Sequence, residues 1–211
     1  APSRGLGDVY KRQMEKAAAA GKIPLWKAVM EEDMKERSVS MKETMDKMRE
    51  RYQAMKQADT DYEENLKSFS GLSGGDGANM QRLVREGEAV SGGFMGMVVT
   101  RALKMGESNA CMKRIVAAPT AGACGVVPAV FLTYEQFYGI PERTMTEGLF
   151  MAAGTGQVIA RRASISGAQG GCQAEVGTAS AMCAAALTSI RGGSNEQILS
   201  AGAFAMKSLL G

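Results

Sequence analysis

Residues 164–187 read SISGAQGGCQAEVGTASAMCAAAL, and this stretch decides the fold class. Its second half, residues 178–187, consists mainly of alanine and other small residues. Alanine has the highest intrinsic helix propensity, and a small side chain lets neighbouring helices approach closely. We therefore predict a small-residue helix at the centre of a compact, all-α protein.

Cys172 lies directly before this predicted helix and follows a glycine-rich approach formed by Gly167, Gly170 and Gly171. The positive end of a helix favours the thiolate form of a cysteine. Glycines on the N-terminal side let a bulky ligand come close to the backbone. The position therefore suits a metal or cluster ligand, whereas spacing alone favours the alternative of a buried structural cysteine.

Helix signals fill most of the remaining chain, and strand signals are nearly absent. Pro24 begins a first predicted helix that ends at about Arg37. Ser40 and Glu43 form a capping box for a second helix. Its apolar residues recur at spacings of three and four, with a break at Asp59: Met41, Met45, Met48, Tyr52, Met55, Tyr62 and Leu66.

Further helices are predicted over residues 78–86 and 94–105, and a brief extended piece over residues 115–118. Longer helices are expected up to about Tyr138, from Pro141 to about Arg162, and from Cys172 to Gly192. Ser194 and Gln197 form a capping box for the last helix. The predicted architecture is all-α, with glycine-rich loops and an N-terminal helical hairpin.

The composition excludes several classes of site. The chain contains no histidine, which removes Ser-His nucleophiles and histidine-ligated metals. The cysteines show no C-x-x-C spacing, so a zinc ribbon is not expected: Cys111, Cys124, Cys172 and Cys183. A net charge of +3 without a basic stripe gives no reason to expect nucleic acid. Neither a signal peptide nor a membrane span is visible, and few cysteines suit a reducing, cytoplasmic location.

The distribution of charged residues and the sequence pattern predict that the chain has three regions. Residues 1–13 match nothing that follows, so we expect a non-native remnant or a short disordered tail. Residues 14–68 form a charged helical region, and residues 1–67 carry more than half of all charged side chains. Residues 69–211 form the helical domain that is expected to carry the chemistry.

Three loops combine glycine with hydroxyl groups: residues 70–77 (SGLSGGDG), 119–125 (PTAGACG) and 164–172. Such loops can offer backbone N–H donors and hydroxyls to a carboxylate. The first loop lacks the Gly-Lys-Ser/Thr ending of a P-loop, and composition alone is equally typical of a connecting turn. No strand signal precedes Gly154-Thr155-Gly156, so this triplet does not indicate a dinucleotide site.

The segments VAAPTAGACGVVPAV (116–130) and SISGAQGGCQAEVGTAS (164–180) together resemble the catalytic alpha subunit of the iron-sulfur-dependent L-serine dehydratases, or L-serine ammonia-lyases. SGLSGGDG (70–77) resembles the upstream loop of that family, and IPLWKAVMEEDM (23–34) resembles its N-terminal helix. The resemblance covers residues 14–211, and two long motifs in the right order are a specific signal. It implies a lyase that converts L-serine to pyruvate and ammonia.

The resemblance also implies a [4Fe-4S] cluster held by three cysteines, with one iron open to act as a Lewis acid. Cys172 takes the position of the first ligand. The family's other two ligands belong to a segment that would follow Gly211, so a fragment that is inactive alone is expected. If Cys172 and Cys183 lie on one helix, they are about 16 Å apart along its axis, too far to share one cluster. We expect Cys111, Cys124 and Cys183 to be packing residues.

The remaining roles also come from the resemblance. Thr120 and Ser166 are expected in catalysis, and the serine-binding residues are expected to be Ser73, Gly74, Asp76, Thr120, Ala121, Gly122, Ser166 and Gly167. The proton acceptor is not assigned, and Arg162 stands where the family often has Asn. A beta subunit or beta domain is the expected partner, with a homo-oligomer as a further option.

The sequence leaves one alternative function open and argues against another. A helical protein-interaction module would use the methionine-striped helices of residues 24–68 to bind a partner, and Cys172 would then be structural. A pyridoxal-phosphate dehydratase is disfavoured, because no lysine lies in a convincing Ser/Asn-x-Lys context within an α/β pattern.

Overall fold

The computed structural model describes residues 23–209, and the predicted tail of residues 1–13 lies outside them. The described chain is all-α and contains no β-strand, as predicted. A 3₁₀ turn covers Ala121–Ala123. The α-helices are α1 (Leu25–Arg37), α2 (Met41–Thr60), α3 (Asp76–Glu86), α4 (Gly92–Ala110), α5 (Val126–Tyr138), α6 (Glu142–Arg162), α7 (Gly167–Ile190) and α8 (Asn195–Lys207).

Both predicted capping boxes are present. The Ser40 N–H donates to Glu43 Oε2 at 2.9 Å, and the Glu43 N–H donates to Ser40 Oγ at 3.3 Å. The Ser194 N–H donates to Gln197 Oε1 at 2.8 Å, and the Gln197 N–H donates to Ser194 Oγ at 3.3 Å. Each box satisfies two N–H groups that the first turn of a helix leaves without partners.

One sequence prediction about α2 is wrong. The apolar stripe was expected to continue through Tyr62 and Leu66, but α2 ends at Thr60. Tyr62 turns away from the helix and donates its phenol hydrogen to Glu107 Oε2 at 2.6 Å. Tyr52 and Met55, earlier in the stripe, are buried as packing residues.

By proximity of its Cα atoms, the chain divides into two units. We call residues 23–50 with 142–209 the terminal unit, and residues 51–141 the central unit. In the terminal unit, α7 packs against both α6 and α8, and α1 packs against α6. In the central unit, α4 packs against α3 and α5. The boundaries predicted at residues 68 and 69 stay a prediction.

Small residues bring the helices of the terminal unit together. A Cβ added at Gly154 of α6 would lie 2.5 Å from Val29 Cγ2 of α1. One added at Gly156 would lie 2.9 Å from Met182 Sδ of α7. The Gly-Thr-Gly triplet is therefore a packing surface within a helix, in agreement with its rejection as a dinucleotide motif.

Arg101 of α4 joins three helices of the central unit. Its Nε donates to Asp59 Oδ2 of α2 at 3.1 Å, and both side chains are less than one-fifth exposed. Its two terminal nitrogens donate to Thr133 Oγ1 at 3.0 Å and Gln136 Oε1 at 2.6 Å, both on α5. Asp59, which breaks the apolar stripe in the sequence, is therefore the partner of a nearly buried cation.

Among the described helices, none combines the length and apolar character that crossing a bilayer requires.

Candidate functional site

The first glycine loop, residues 70–77, is a compact turn at the start of α3. Its Ser73 N–H donates to Ser68 Oγ at 3.1 Å, and the Ser73 carbonyl accepts from the Ser68 N–H at 2.9 Å. Gly74 is buried and has φ +131°, and a Cβ there would lie 2.1 Å from the carbonyl oxygen of Leu66. Only glycine fits this position. Lys67 Nζ donates to the Gly74 carbonyl.

Glu107, near the end of α4, fixes the point where this loop becomes α3. Its Oε1 accepts from the backbone N–H of Asp76 at 2.7 Å. Its Oε2 accepts from the N–H of Gly77 at 3.3 Å and from the phenol of Tyr62 at 2.6 Å. The residue is only 7% exposed. It therefore serves as an N-terminal cap that is supplied by another helix.

Tyr62 stays a hydrogen-bond donor across the neutral pH range. Burial and the hydrogen bond to Glu107 raise the pKa of Tyr62 to about 12. The Lys104 ammonium lies 5.2 Å from the centre of the Tyr62 ring, and burial lowers the pKa of Lys104. The phenol therefore keeps its hydrogen and donates it to the Glu107 carboxylate, which is the acceptor of this hydrogen bond.

The second glycine loop, residues 119–125, lies against the same helix. Thr120 is extended and precedes the 3₁₀ turn. Asn109 Nδ2 of α4 donates to the Ala121 carbonyl at 3.2 Å. Cys124 Sγ lies 3.7 Å from the Met105 carbonyl, and a Cβ at Gly125 would lie 2.8 Å from the Ala102 carbonyl. The end of α4 therefore contacts both loops of the central unit.

The third glycine loop, residues 164–172, belongs to the terminal unit. Ser164 Oγ accepts from the Ser166 N–H at 3.1 Å and donates to Gln169 Oε1 at 2.9 Å. Ser166 precedes one helical turn, which ends where Gly171 takes φ 72° and ψ 179°. Cys172 is thus the first residue of the helical segment that continues to Ile190, and it is exposed. The reading of Cys172 as a buried structural cysteine is wrong.

The other cysteines are less accessible. Cys124 and Cys183 are buried, as expected for packing residues, and Cys111 is half-buried. Burial raises the pKa of the Cys124 thiol and raises that of Cys183 to about 12. Cys183 lies on α7 with Cys172, as predicted. Cys172 is therefore the one exposed cysteine of the described chain.

Cys172 fits a thiolate ligand in its exposure and in its position at the start of a helical segment. A metal centre also needs further donor side chains close to the first. Within residues 23–209, no group of three or more Cys, Asp or Glu side chains is arranged to hold a metal ion. The described residues therefore do not by themselves provide a complete donor set for a metal centre.

Neither of two cavities contains a predicted site residue. In the terminal unit, an apolar cavity of about 310 Å³ is lined by side chains that include Val158, Ile198 and Met206. Its walls are mainly apolar, and Arg162 is the charged side chain among the lining residues. In the central unit, a polar cavity of about 390 Å³ includes Lys113, which is paired with Glu63 at 2.6 Å.

The structure places the predicted site residues in two groups. Helix α4 contacts the first two loops, and both loops belong to the central unit. The predicted site residues on these two loops are Ser73, Gly74, Asp76, Thr120, Ala121 and Gly122. Ser166, Gly167 and Cys172 lie together on the third loop of the terminal unit. Sequence reasoning missed Tyr62, Glu107 and Asn109. The cluster of polar residues at 107–109, which ends a largely apolar helix, is the signal that could have identified two of them.

Fold and loops together define a class: an all-helical domain that presents hydroxyl- and glycine-rich loops and an exposed cysteine. The chain belongs to the serine dehydratase alpha chain family, whose model matches residues 20–211.

Individual relatives agree with this membership. A probable L-serine dehydratase alpha chain of Bacillus subtilis (strain 168) is 43% identical over 148 residues, which cover 70% of this chain and 49% of the relative. The L-serine dehydratase alpha chain of Peptoniphilus asaccharolyticus is 42% identical, over 59% of this chain and 43% of the relative. L-serine dehydratase 1 of Escherichia coli (strain K12) is 47% identical, over 52% of this chain and 24% of the relative. The chain therefore spans about half the length, or less, of these curated relatives.

Proposed function

We propose that the whole protein to which this chain belongs is an L-serine ammonia-lyase. The match of residues 20–211 to the serine dehydratase alpha chain family carries this proposal. In the reaction, serine loses its Cα proton and its hydroxyl group as water and gives aminoacrylate. Hydrolysis of aminoacrylate then gives pyruvate and ammonia, so the water that is lost is taken up again.

The two loops of the central unit are proposed to bind the serine zwitterion. Ser73, Gly74 and Asp76 come from the first loop, and Ala121 and Gly122 from the second. Within the described chain, the Ser73 hydroxyl has no hydrogen-bond partner, so it is free to bind a ligand. The Asp76 carboxylate is exposed and begins α3, which suits contact with the amino group of a substrate.

Thr120 and Ser166 are the proposed catalytic hydroxyls. Thr120 lies before the 3₁₀ turn of the second loop, where its side chain is half-buried. Ser166 directly precedes α7 and uses its backbone N–H rather than its hydroxyl in the turn with Ser164. Each hydroxyl can donate to or accept from the substrate's polar groups. Gly167, beside Ser166, packs against the Glu175 carboxylate, since a Cβ there would lie 2.7 Å from Glu175 Oε2.

Cys172 is proposed as one thiolate ligand of a [4Fe-4S] cluster, with the other ligands supplied outside the described residues. When bound, such a cluster supplies a Lewis-acidic iron that helps the serine hydroxyl leave. Cys172 directly follows the break at Gly171, and its side chain is exposed, so the thiol is accessible to a metal centre. These features support the ligand role.

The partner is proposed to be a beta subunit or beta domain, because two of the relatives described above are named alpha chains. A homo-oligomer is the second option. All four cysteines are free, which suits a reducing cytoplasm.

An anaerobic assay tests the proposed function. The whole protein is reconstituted with iron and sulfide, and pyruvate formation from L-serine is measured with and without the metal. We expect turnover that requires iron and is accompanied by visible cluster absorption. Serine-dependent pyruvate formation that persists after complete removal of iron would refute the proposed chemistry.

A further inference from the structure

The last turn of α4 contacts both glycine loops of the central unit through different side chains. Glu107 accepts the Asp76 and Gly77 N–H groups where the first loop enters α3. Asn109, two residues later, donates to the Ala121 carbonyl of the second loop. The two loops are far apart in sequence, so these bonds tie separate segments to one rigid helix.

The carboxylate oxygens of Glu107 are already occupied by hydrogen bonds. Its two oxygens accept from two backbone N–H groups and from the Tyr62 phenol. The residue is 7% exposed, and the carboxylate is therefore already surrounded by donors. A proton acceptor in catalysis needs a lone pair that faces the substrate. Glu107 instead meets the requirements of a group that holds backbone in place.

The part of α4 that carries these side chains is itself firmly packed. Met105 is 1% exposed, and its carbonyl accepts from the Cys124 thiol. Gly77 and Gly125 both lie close to α4, since a Cβ at Gly77 would be 2.7 Å from Lys104 Cγ and one at Gly125 would be 2.8 Å from the Ala102 carbonyl. Close packing without space for a methyl group leaves the loops little freedom to shift along the helix.

We propose that the end of α4 is the positioning element for serine binding, with Glu107 setting the first loop and Asn109 setting the second. This inference rests on the proposed function, because it takes these two loops as the substrate-binding loops. Both are positioning residues that act through the backbone of the loops. Small displacements of substrate-binding groups are costly because productive binding requires narrow geometry.

Two variants of the whole protein test the proposal. Glu107→Gln keeps the shape of the side chain and replaces one acceptor oxygen by an amide group that cannot accept. Asn109→Ala removes the donor to Ala121, and because Asn109 is only half-buried, this variant is expected to fold. Glu88→Gln and Gln81→Ala are matched controls, since both side chains are exposed and lie outside the loops.

Steady-state kinetics and amide hydrogen exchange are measured for each variant. We expect the KM for L-serine to rise about tenfold in each loop variant, the scale of one lost hydrogen bond to a charged or fixed group, while kcat changes less. Glu107→Gln is expected to speed exchange in residues 70–77, and Asn109→Ala in residues 119–125. Both controls should match the unsubstituted protein.

The proposal is overturned if Asn109→Ala matches its control in both KM and exchange, or if kcat falls while KM stays constant. Failure of Glu107→Gln to fold leaves Asn109→Ala as the deciding variant. A protein that makes no pyruvate from serine before any substitution would refute the proposed function. In that case, exchange in the two loops still decides whether α4 positions them.

Discussion

The cysteine side chains differ in their access to solvent, and the difference follows from their places along the helices. Cys172 directly follows the break at Gly171 and is exposed, whereas Cys183 faces the interior from the middle of the same helix. Burial raises the pKa of Cys183 to about 12, so its thiol stays protonated near pH 8. Because the thiolate is the reactive form, burial and the raised pKa both make Cys183 less reactive.

We predict that an alkylating reagent at pH 8 modifies Cys172 first in the folded, metal-free protein. Cys124 and Cys183 should react only after unfolding, because both are buried and burial raises both pKa values. Peptide mass spectrometry over a time course measures the order. Modification of Cys183 as fast as that of Cys172 would contradict the described burial.

The Arg101 network gives a second prediction for single residues. Arg101→Ala should lower the free energy of unfolding by about 2 kcal/mol, because Asp59 is left nearly buried without its cation. Arg85→Ala is the matched control, and its exposed position should keep the change within about 0.5 kcal/mol. Urea unfolding measures both, and equal effects of the two substitutions would argue against the network.

Residue roles that depend on local sequence could be predicted, and roles that depend on distant contacts could not. The bonds of Ser40 with Glu43 span three residues and follow from a spacing rule. The bonds of Glu107 to Asp76 and Gly77 span about thirty residues, and no local pattern indicates which backbone groups a buried carboxylate will reach.

At the scale of helices, ends were predicted best where proline or a capping box marks them. Helix α1 begins directly after Pro24, and α6 directly after Pro141. The end of α2 was missed because its apolar spacing continues past Thr60, while Tyr62 finds a partner on another helix. The break inside α7 was also not foreseen, since adjacent glycines do not reveal which one takes positive φ.

The contact between α1 and α6 gives a prediction about packing. Gly154→Ala should destabilise the protein by about 1–3 kcal/mol, because the new methyl group would overlap Val29. Gly106→Ala, in the exposed part of α4, meets no atom within 4 Å and should stabilise by up to about 1 kcal/mol through helix propensity.

Urea unfolding measures the change in the free energy of unfolding for Gly154→Ala and for Gly106→Ala. The double variant Val29→Ala with Gly154→Ala should recover part of the loss, because the smaller side chain leaves space for the added methyl group. A neutral effect of Gly154→Ala would show that α1 and α6 are farther apart than described.

At the scale of the whole molecule, the fold class followed from helix signals along the chain, and membership of the family is confirmed by the match over residues 20–211. The alternative of an interaction module needed the methionine stripe for a partner and a structural Cys172. Tyr52 and Met55 of the stripe are buried and Cys172 is exposed, whereas Met41 at the start of the stripe is exposed. The proposed ligand set could not be completed from the sequence. Cys172 is the one exposed cysteine of the described residues, and no group of three Cys, Asp or Glu side chains among them is arranged to hold a metal ion.

The central claim is that the Cys172 thiolate holds the metal centre that serine dehydration needs. The most direct measurement compares Cys172→Ser with Cys111→Ser in the whole protein after anaerobic reconstitution, by iron content and by pyruvate formation from L-serine. Cys172→Ser is expected to lose both the cluster and turnover, while Cys111→Ser keeps both. Near-normal turnover by Cys172→Ser would contradict the account.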